Sequence, residues 1–119
     1  MVSTEDGAAL IWCPFPDRDS ARAVAGQMLD HGHIACANII GEIESVFLWQ
    51  GERESGTETG VLFKTTAARL TAALEQLGKL HPYDTPAIVG WHCDAAHPAT
   101  GAWLATAVSG LAAGAQAKD

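Results

Sequence analysis

Apolar residues along this chain fall into short unbroken runs and into stripes at helical spacing, and the two kinds take turns. Residues 8–12 form an apolar run closed by Pro14 and Pro16, which predicts a buried strand. Asp17 is placed to cap a helix; Ala21, Val24, Ala25, Met28 and Leu29 then share one face, and Gly32 ends it. A second strand is predicted over residues 34–40, apolar on both faces apart from Asn38. Gly41 breaks it, and residues 42–49 continue with Ile43, Val46, Phe47 and Leu48. A glycine inside so long a strand marks a bulge or a bend. Residues 50–56 are polar and rich in turn formers, and a return strand over residues 58–65 completes a long hairpin. Thr66 caps a second helix with Leu70, Ala73, Leu74 and Leu77 on its face. A loop stiffened by Pro82 and Pro86 leads into a fourth strand over residues 88–93. Pro98 opens a third helix carrying Trp103, Leu104, Ala107, Val108 and Leu111.

Strand, helix, long hairpin, helix, strand, helix is the α+β, ferredoxin-like βαββαβ plan with an extended β-hairpin and an extra C-terminal helix. Two helices cover one face of such a sheet and leave the other bare. The strands here are apolar on both faces, so the bare face needs a cover, and self-association is the simplest one. Trp49 at the hairpin end is too large an apolar surface to place on an exposed turn without a partner, so it reads as a wedge between subunits.

Composition narrows the function. At 119 residues the chain is expected to be one domain over 1–119, frayed at about residues 1–6 and 113–119, and 48% hydrophobic residues suffice for a core without staples. Fourteen acidic against 7 basic residues give a charge of −7, which argues against a nucleic-acid surface or an anionic membrane and suits a cationic ligand such as a metal ion. The acidic N-terminus has no signal-peptide pattern, and no apolar stretch is long enough to span a bilayer. Three cysteines without paired spacing make no disulfide framework, so a cytoplasmic location with reduced thiols is expected.

The candidate chemistry is concentrated on few residues. The stiff loop presents His81, Tyr83 and Asp84 between its two prolines, a platform ordered before anything binds. Cys36 and Asn38, two apart, share a strand face; Cys36 reads either as a soft-metal donor or as a small buried hydrophobe. Lys64 either holds an anionic ligand group or pairs with Glu58 along its strand. His92, Cys93, Asp94 and His97 form a second donor cluster, against which stands the reading of His97 as a surface residue at a helix start. No glycine-rich phosphate loop, nucleophile elbow or paired-carboxylate motif is present, which lowers any enzyme hypothesis.

Ala35-Cys36-Ala37-Asn38-Ile39-Ile40, Trp49 with Gly51, Glu58, Lys64-Thr65, His81-Pro82-Tyr83-Asp84-Thr85-Pro86 and Trp103-Leu104 follow one another in an order and spacing that resemble the CutA divalent-ion tolerance proteins. The resemblance covers residues 10–104. It implies a trimer of ferredoxin-like subunits similar to the PII signalling trimers, with Trp49 and Trp103 at the trimer interface and a ligand cleft between subunits. That cleft would draw on Asn38, Lys64, His81, Tyr83 and Asp84. It also implies association with copper or other soft divalent ions, with Cys36 and His81 as ligands and Cys13 a third; His92 and Cys93 are the alternative donors. An enzyme or a small-molecule sensor working through the same cleft is the competing function. The chain departs from the family in having Ala87 where a glutamate normally follows Pro86, and in the Trp91-His92-Cys93-Asp94 sequence.

Overall fold

A computed structural model describes residues 7–109. Its first strand, β1 (Ala8–Phe15), runs beyond the apolar run that predicted it and passes through Pro14. A proline has no N–H to give to a ladder, so a sheet tolerates one only beside an unpaired edge. The neighbouring fourth strand stops opposite Trp12, which leaves the edge at Pro14 without a strand beside it. α1 (Arg18–Asp30) opens as predicted, with Asp17 accepting the Ser20 N–H at 2.7 Å. Hydrogen bonds from the Ser20 backbone and side chain hold the Asp17 carboxyl below its ordinary pKa. Ala21, Val24, Ala25 and Met28 form its buried face. Leu29, expected on that face, is exposed, because 3.6-residue periodicity carries it to the margin of the stripe in the last turn.

β2 (Cys36–Trp49) and β3 (Glu52–Thr66) make the long hairpin, with a register shift between Ile39 and Gly41 where a bulge was predicted. The turn is far shorter than the polar stretch suggested. It consists of Gln50 and Gly51, both at positive φ (52° and 82°), the signature of a type I′ hairpin turn. β1 ends opposite Thr59, so the ribbon beyond has no third strand and no core beneath it. Residues 52–57 therefore carry none of the alternation that announces a half-buried strand, although their backbone pairing continues.

Thr66 caps a single 3₁₀ turn (Ala67–Arg69) by accepting the Arg69 N–H at 3.3 Å, and α2 (Leu70–Leu80) follows directly. β4 (Val89–His92) and α3 (Pro98–Ser109) complete the described chain. The strands lie in the order β2-β3-β1-β4 with every neighbouring pair antiparallel, which is the predicted ferredoxin-like topology. Between the sheet and α1 and α2 lie Ile11, Cys13, Phe15, Met28, Ile34, Val61, Phe63 and Leu77, all buried. Burial of each large apolar side chain of this kind contributes about 1.5–3 kcal/mol. Phe15 meets Phe63 edge to face at 6.3 Å between centroids.

The register places Leu10, Trp12, Cys36, Asn38, Leu62, Lys64, Val89 and Trp91 on the opposite face. Trp12 lies flat over Gly60: a Cβ at that position would stand 2.5 Å from Trp12 Cη2, so only glycine admits the ring. Much of this face and of the hairpin stays uncovered within one chain. Ile40, Val46, Phe47, Val89 and Trp91 are exposed, Leu48 is 75% exposed and Trp49 45%. α3 leans on β3 and buries Leu104 and Val108, while Trp103 faces outward; Leu111 and the expected frayed ends lie outside the described residues.

Candidate functional site

α2 stops at Leu80 because Pro82 disfavours a helical His81, which turns to extended geometry (φ −67°, ψ 140°). That turn delivers the His81 ring into the gap beside Pro14, where it stacks on Phe15 at 4.4 Å and is almost completely buried. His81 Nε2 lies 2.8 Å from the Pro14 carbonyl oxygen, and Nδ1 lies 3.1 Å from the Tyr83 backbone nitrogen. A carbonyl only accepts and an amide N–H only donates, so Nε2 carries the hydrogen and Nδ1 offers its lone pair. The imidazole is a neutral strut with both nitrogens engaged. Burial pushes its pKa below the ordinary value, against the opposing pull of the Pro14 bond and the Glu58 charge.

The strut fixes the next residues of the loop. The Tyr83 ring lies tilted against His81 at 4.9 Å, and its hydroxyl donates to Glu58 Oε2 at 2.9 Å. Partial burial, then the bond to Glu58, raises the Tyr83 pKa to about 12, so at neutral pH it is a phenol able to donate but not to act as a base. Asp84 follows on the exposed side of the loop. Sequence reasoning missed Phe15 as the stacking platform and offered Glu58 as one of two partners for Lys64, the other being an anionic ligand group. Those two share a strand but stand six residues apart, about 20 Å at strand rise, beyond side-chain reach. Nothing local in the sequence announces the Tyr83–Glu58 bond, which joins residues 25 apart.

The remaining cleft residues sit elsewhere in the chain. Cys36 and Asn38 do share a face, with the thiol 3.6 Å from Asn38 Oδ1, and half-buried Lys64 pairs with Cys36 across the strands. Lys64 also lies opposite Leu10, four residues along β1 from Pro14 and hence about 13 Å from the His81 strut. Within one chain the predicted cleft is thus two groups, Cys36–Asn38–Lys64 on the open face and His81–Tyr83–Asp84 at the sheet end.

The inherited ligand set divides in the same way. Cys13 is fully buried on the helix-covered face, opposite Val61, whereas Cys36 points from the other face. Desolvation, then the Glu58 charge, raises the Cys13 pKa to about 12 and keeps it a thiol, and metals bind the thiolate. Cys13 therefore does not join Cys36, and His81 would have to release a backbone bond to do so. In the second cluster His92 is exposed at the end of β4, and Cys93 is anchored by its N–H to the Ala8 carbonyl at 2.9 Å. His97 Nδ1 accepts the Ala99 N–H at 3.1 Å, so it caps α3 rather than joining the cluster. Among the described residues no three of His, Cys, Asp and Glu gather to hold a metal ion.

The family model described as CutA1 divalent ion tolerance protein matches residues 9–107. The chain belongs to the CutA divalent-cation tolerance family. It is 34% identical over 103 residues to the divalent-cation tolerance protein CutA of Thermococcus kodakarensis, spanning 87% of this chain and 98% of that one. The crystal structure of CutA1 from Ehrlichia chaffeensis superposes with a TM-score of 0.81 at 30% identity, over 86% of this chain and 95% of that one. The CutA of Archaeoglobus fulgidus, described as periplasmic, gives 0.80 at 26% identity over 85% and 98%. No helix among the described residues is long and apolar enough to cross a membrane.

Proposed function

We propose that this chain acts as a CutA-type homotrimer in divalent-cation tolerance, binding copper or other soft divalent ions where subunits meet, in a reducing cytoplasm. The observation that carries the assembly is the apolar surface one chain leaves open: the hairpin end from Val46 to Trp49 and the Val89–Trp91 edge of the sheet. Contiguous apolar surface on a soluble chain marks an interface, and a projecting two-stranded ribbon is unstable without something packed on it. Trp49 and Trp103 are the large aromatics such an interface would bury. Family membership supports the role in ion tolerance.

Among the described residues of one chain no three donors gather, which favours a site assembled between chains. Cys36 is the donor that fits a soft ion: a half-buried thiol on the open face with the Asn38 side chain beside it. Cys93, also half-buried, is the alternative sulfur, with His92 next to it. A bound soft ion would draw on these groups, while His81 and Cys13 keep structural duties.

A second reading rests on the Tyr83–Glu58 pair, held in place before any ligand arrives. A small molecule with a polar head is sensed there, with Asp84 and a neighbouring subunit's surface completing the cleft around His81, Tyr83 and Lys64; the protonated Tyr83 makes binding the better reading than catalysis. Copper titration of the purified protein separates the two. The metal reading expects stoichiometric copper binding, weakened at least about tenfold by Cys36→Ser and indifferent to magnesium competition, because hard ions prefer oxygen. Copper binding unaltered by both Cys36→Ser and Cys93→Ser would overturn the sulfur assignment.

A further inference from the structure

The end of α1 holds two imidazoles that neither the family motifs nor the predicted sites include. His31 is the C-cap, Gly32 follows at φ 72°, and His33 comes next. The Gly32 N–H bonds the Leu29 carbonyl and the His33 N–H bonds the Met28 carbonyl, both at 3.0 Å, the paired bonds of a Schellman turn. The buried Thr65 hydroxyl donates to the His33 carbonyl at 2.7 Å, and the Ala35 N–H bonds the Lys64 carbonyl at 2.8 Å. The backbone presenting the two rings is therefore tied both to the helix and to β3.

The rings face each other at 6.3 Å between centroids, tilted by 51°. His31 Nδ1 is 2.9 Å from the Gln27 carbonyl oxygen, so Nδ1 carries the hydrogen and the neutral ring's Nε2 is left with a lone pair. A ring nitrogen donating to a backbone carbonyl is the usual outer-shell arrangement of a metal-binding histidine, because it fixes the tautomer and the ring plane. His33 supplies the complementary observation: its Nδ1 is buried and has no hydrogen-bond partner. Buried polar atoms are nearly always satisfied, so the orphan His33 nitrogen lacks a partner on a ring whose neighbour, His31, carries a free lone pair.

We propose that His31 and His33 form a two-imidazole site for a borderline divalent ion, copper(II), nickel(II) or zinc(II), bound by His31 Nε2 and His33 Nδ1 with water completing the shell. The centroid separation is the outer limit for two rings sharing one ion at about 2.0–2.1 Å per metal–nitrogen bond, and it sets the two nitrogens on nearly opposite sides of that ion. The C-terminal end of α1 favours a cation through its exposed carbonyls and dipole. Arg69 repels an incoming cation, though its guanidinium is turned to the Val108 carbonyl at 3.4 Å. The site lies on one chain and needs no trimer; it rests on the proposed function only in the class of ion.

Copper(II) titration with electron paramagnetic resonance tests it, on the full chain and on His31→Gln, His33→Gln and Cys36→Ser. His31 is exposed, so its variant tests the site even where His33→Gln perturbs folding. Nitrogen coupling from two imidazoles is expected in the parent and from one in either histidine variant, with affinity at this site down at least about tenfold; Cys36→Ser leaves it unchanged. Two-nitrogen coupling that survives both histidine variants while binding is lost in Cys36→Ser overturns this site and leaves the proposed function standing. No copper bound to any protein overturns both.

Discussion

Replacing His81 with alanine removes a ring that holds two backbone groups, and a strut and a metal ligand lead to opposite measurements. The substitution leaves the Pro14 carbonyl and the Tyr83 N–H without their partners and strips the stacked ring from Phe15. Each lost hydrogen bond costs about 0.5–1.5 kcal/mol net, and the stacking contact about 0.5–1.5 kcal/mol more. Their sum, about 1.5–4.5 kcal/mol, corresponds to a melting temperature lower by roughly 6–18 °C in a chain of this size. Thermal unfolding followed by circular dichroism measures it, with His81→Phe as a companion that keeps the stacking and loses only the hydrogen bonds. Copper affinity is expected to stay at the parent value in the folded His81→Ala protein. A variant that melts within a degree or two of the parent but loses copper would refute the reasoning, and would show that the imidazole abandons its backbone bonds for a metal.

Gly60→Ala should destabilise the protein by about 1–3 kcal/mol, as overpacking does, because the new methyl displaces Trp12 from the sheet; a double-mutant cycle with Trp12→Leu should recover most of the loss, and an unrescued cost would disprove the clash. Cys13, buried with its pKa raised to about 12, should stay unalkylated by iodoacetamide at pH 8 until denaturant is added, as peptide mapping by mass spectrometry would reveal. His81 is held below its ordinary value of 6.5, so the unfolded chain takes up the proton first: stability is full above pH 6.5 and falls as pH drops from there toward the lowered folded value. Urea midpoints measured from pH 8 to 5 should follow that course and flatten in His81→Phe; an identical slope in both proteins would assign the effect to another group.

The sheet order and both helix starts were legible because they rest on local chemistry. Asp17 and Thr66 announce their caps, the stripes of α1 and α2 announce their buried faces, and Gly41 announces the bulge. What escaped is non-local. Gln50–Gly51 hides in a polar stretch because the ribbon around it has no buried face, and the extension of β1 through Pro14 depends on where β4 stops. For the site, the loop from His81 to Asp84 was visible as a platform, but its supports, Phe15, Pro14 and Glu58, come from distant strands and carry no motif. The strut role of His81 was hidden for that reason: the sequence offers a possible ligand, and only the folded chain brings both of its nitrogens to backbone groups. His31 and His33 did leave a signal, two imidazoles flanking a helix-ending glycine, which the family motifs overshadow.

On the proposed function the apolar hairpin and the open sheet face are covered by further copies of the same chain. Light scattering coupled to gel filtration, run on the parent and on Trp49→Ala at micromolar concentration, tests it most directly. The parent is expected as one species of three times 12.5 kDa. Losing an indole buried at a contact costs about 3–5 kcal/mol, so Trp49→Ala should dissociate or melt far below the parent. A monodisperse parent monomer with Trp49 still at the hairpin end would contradict the account.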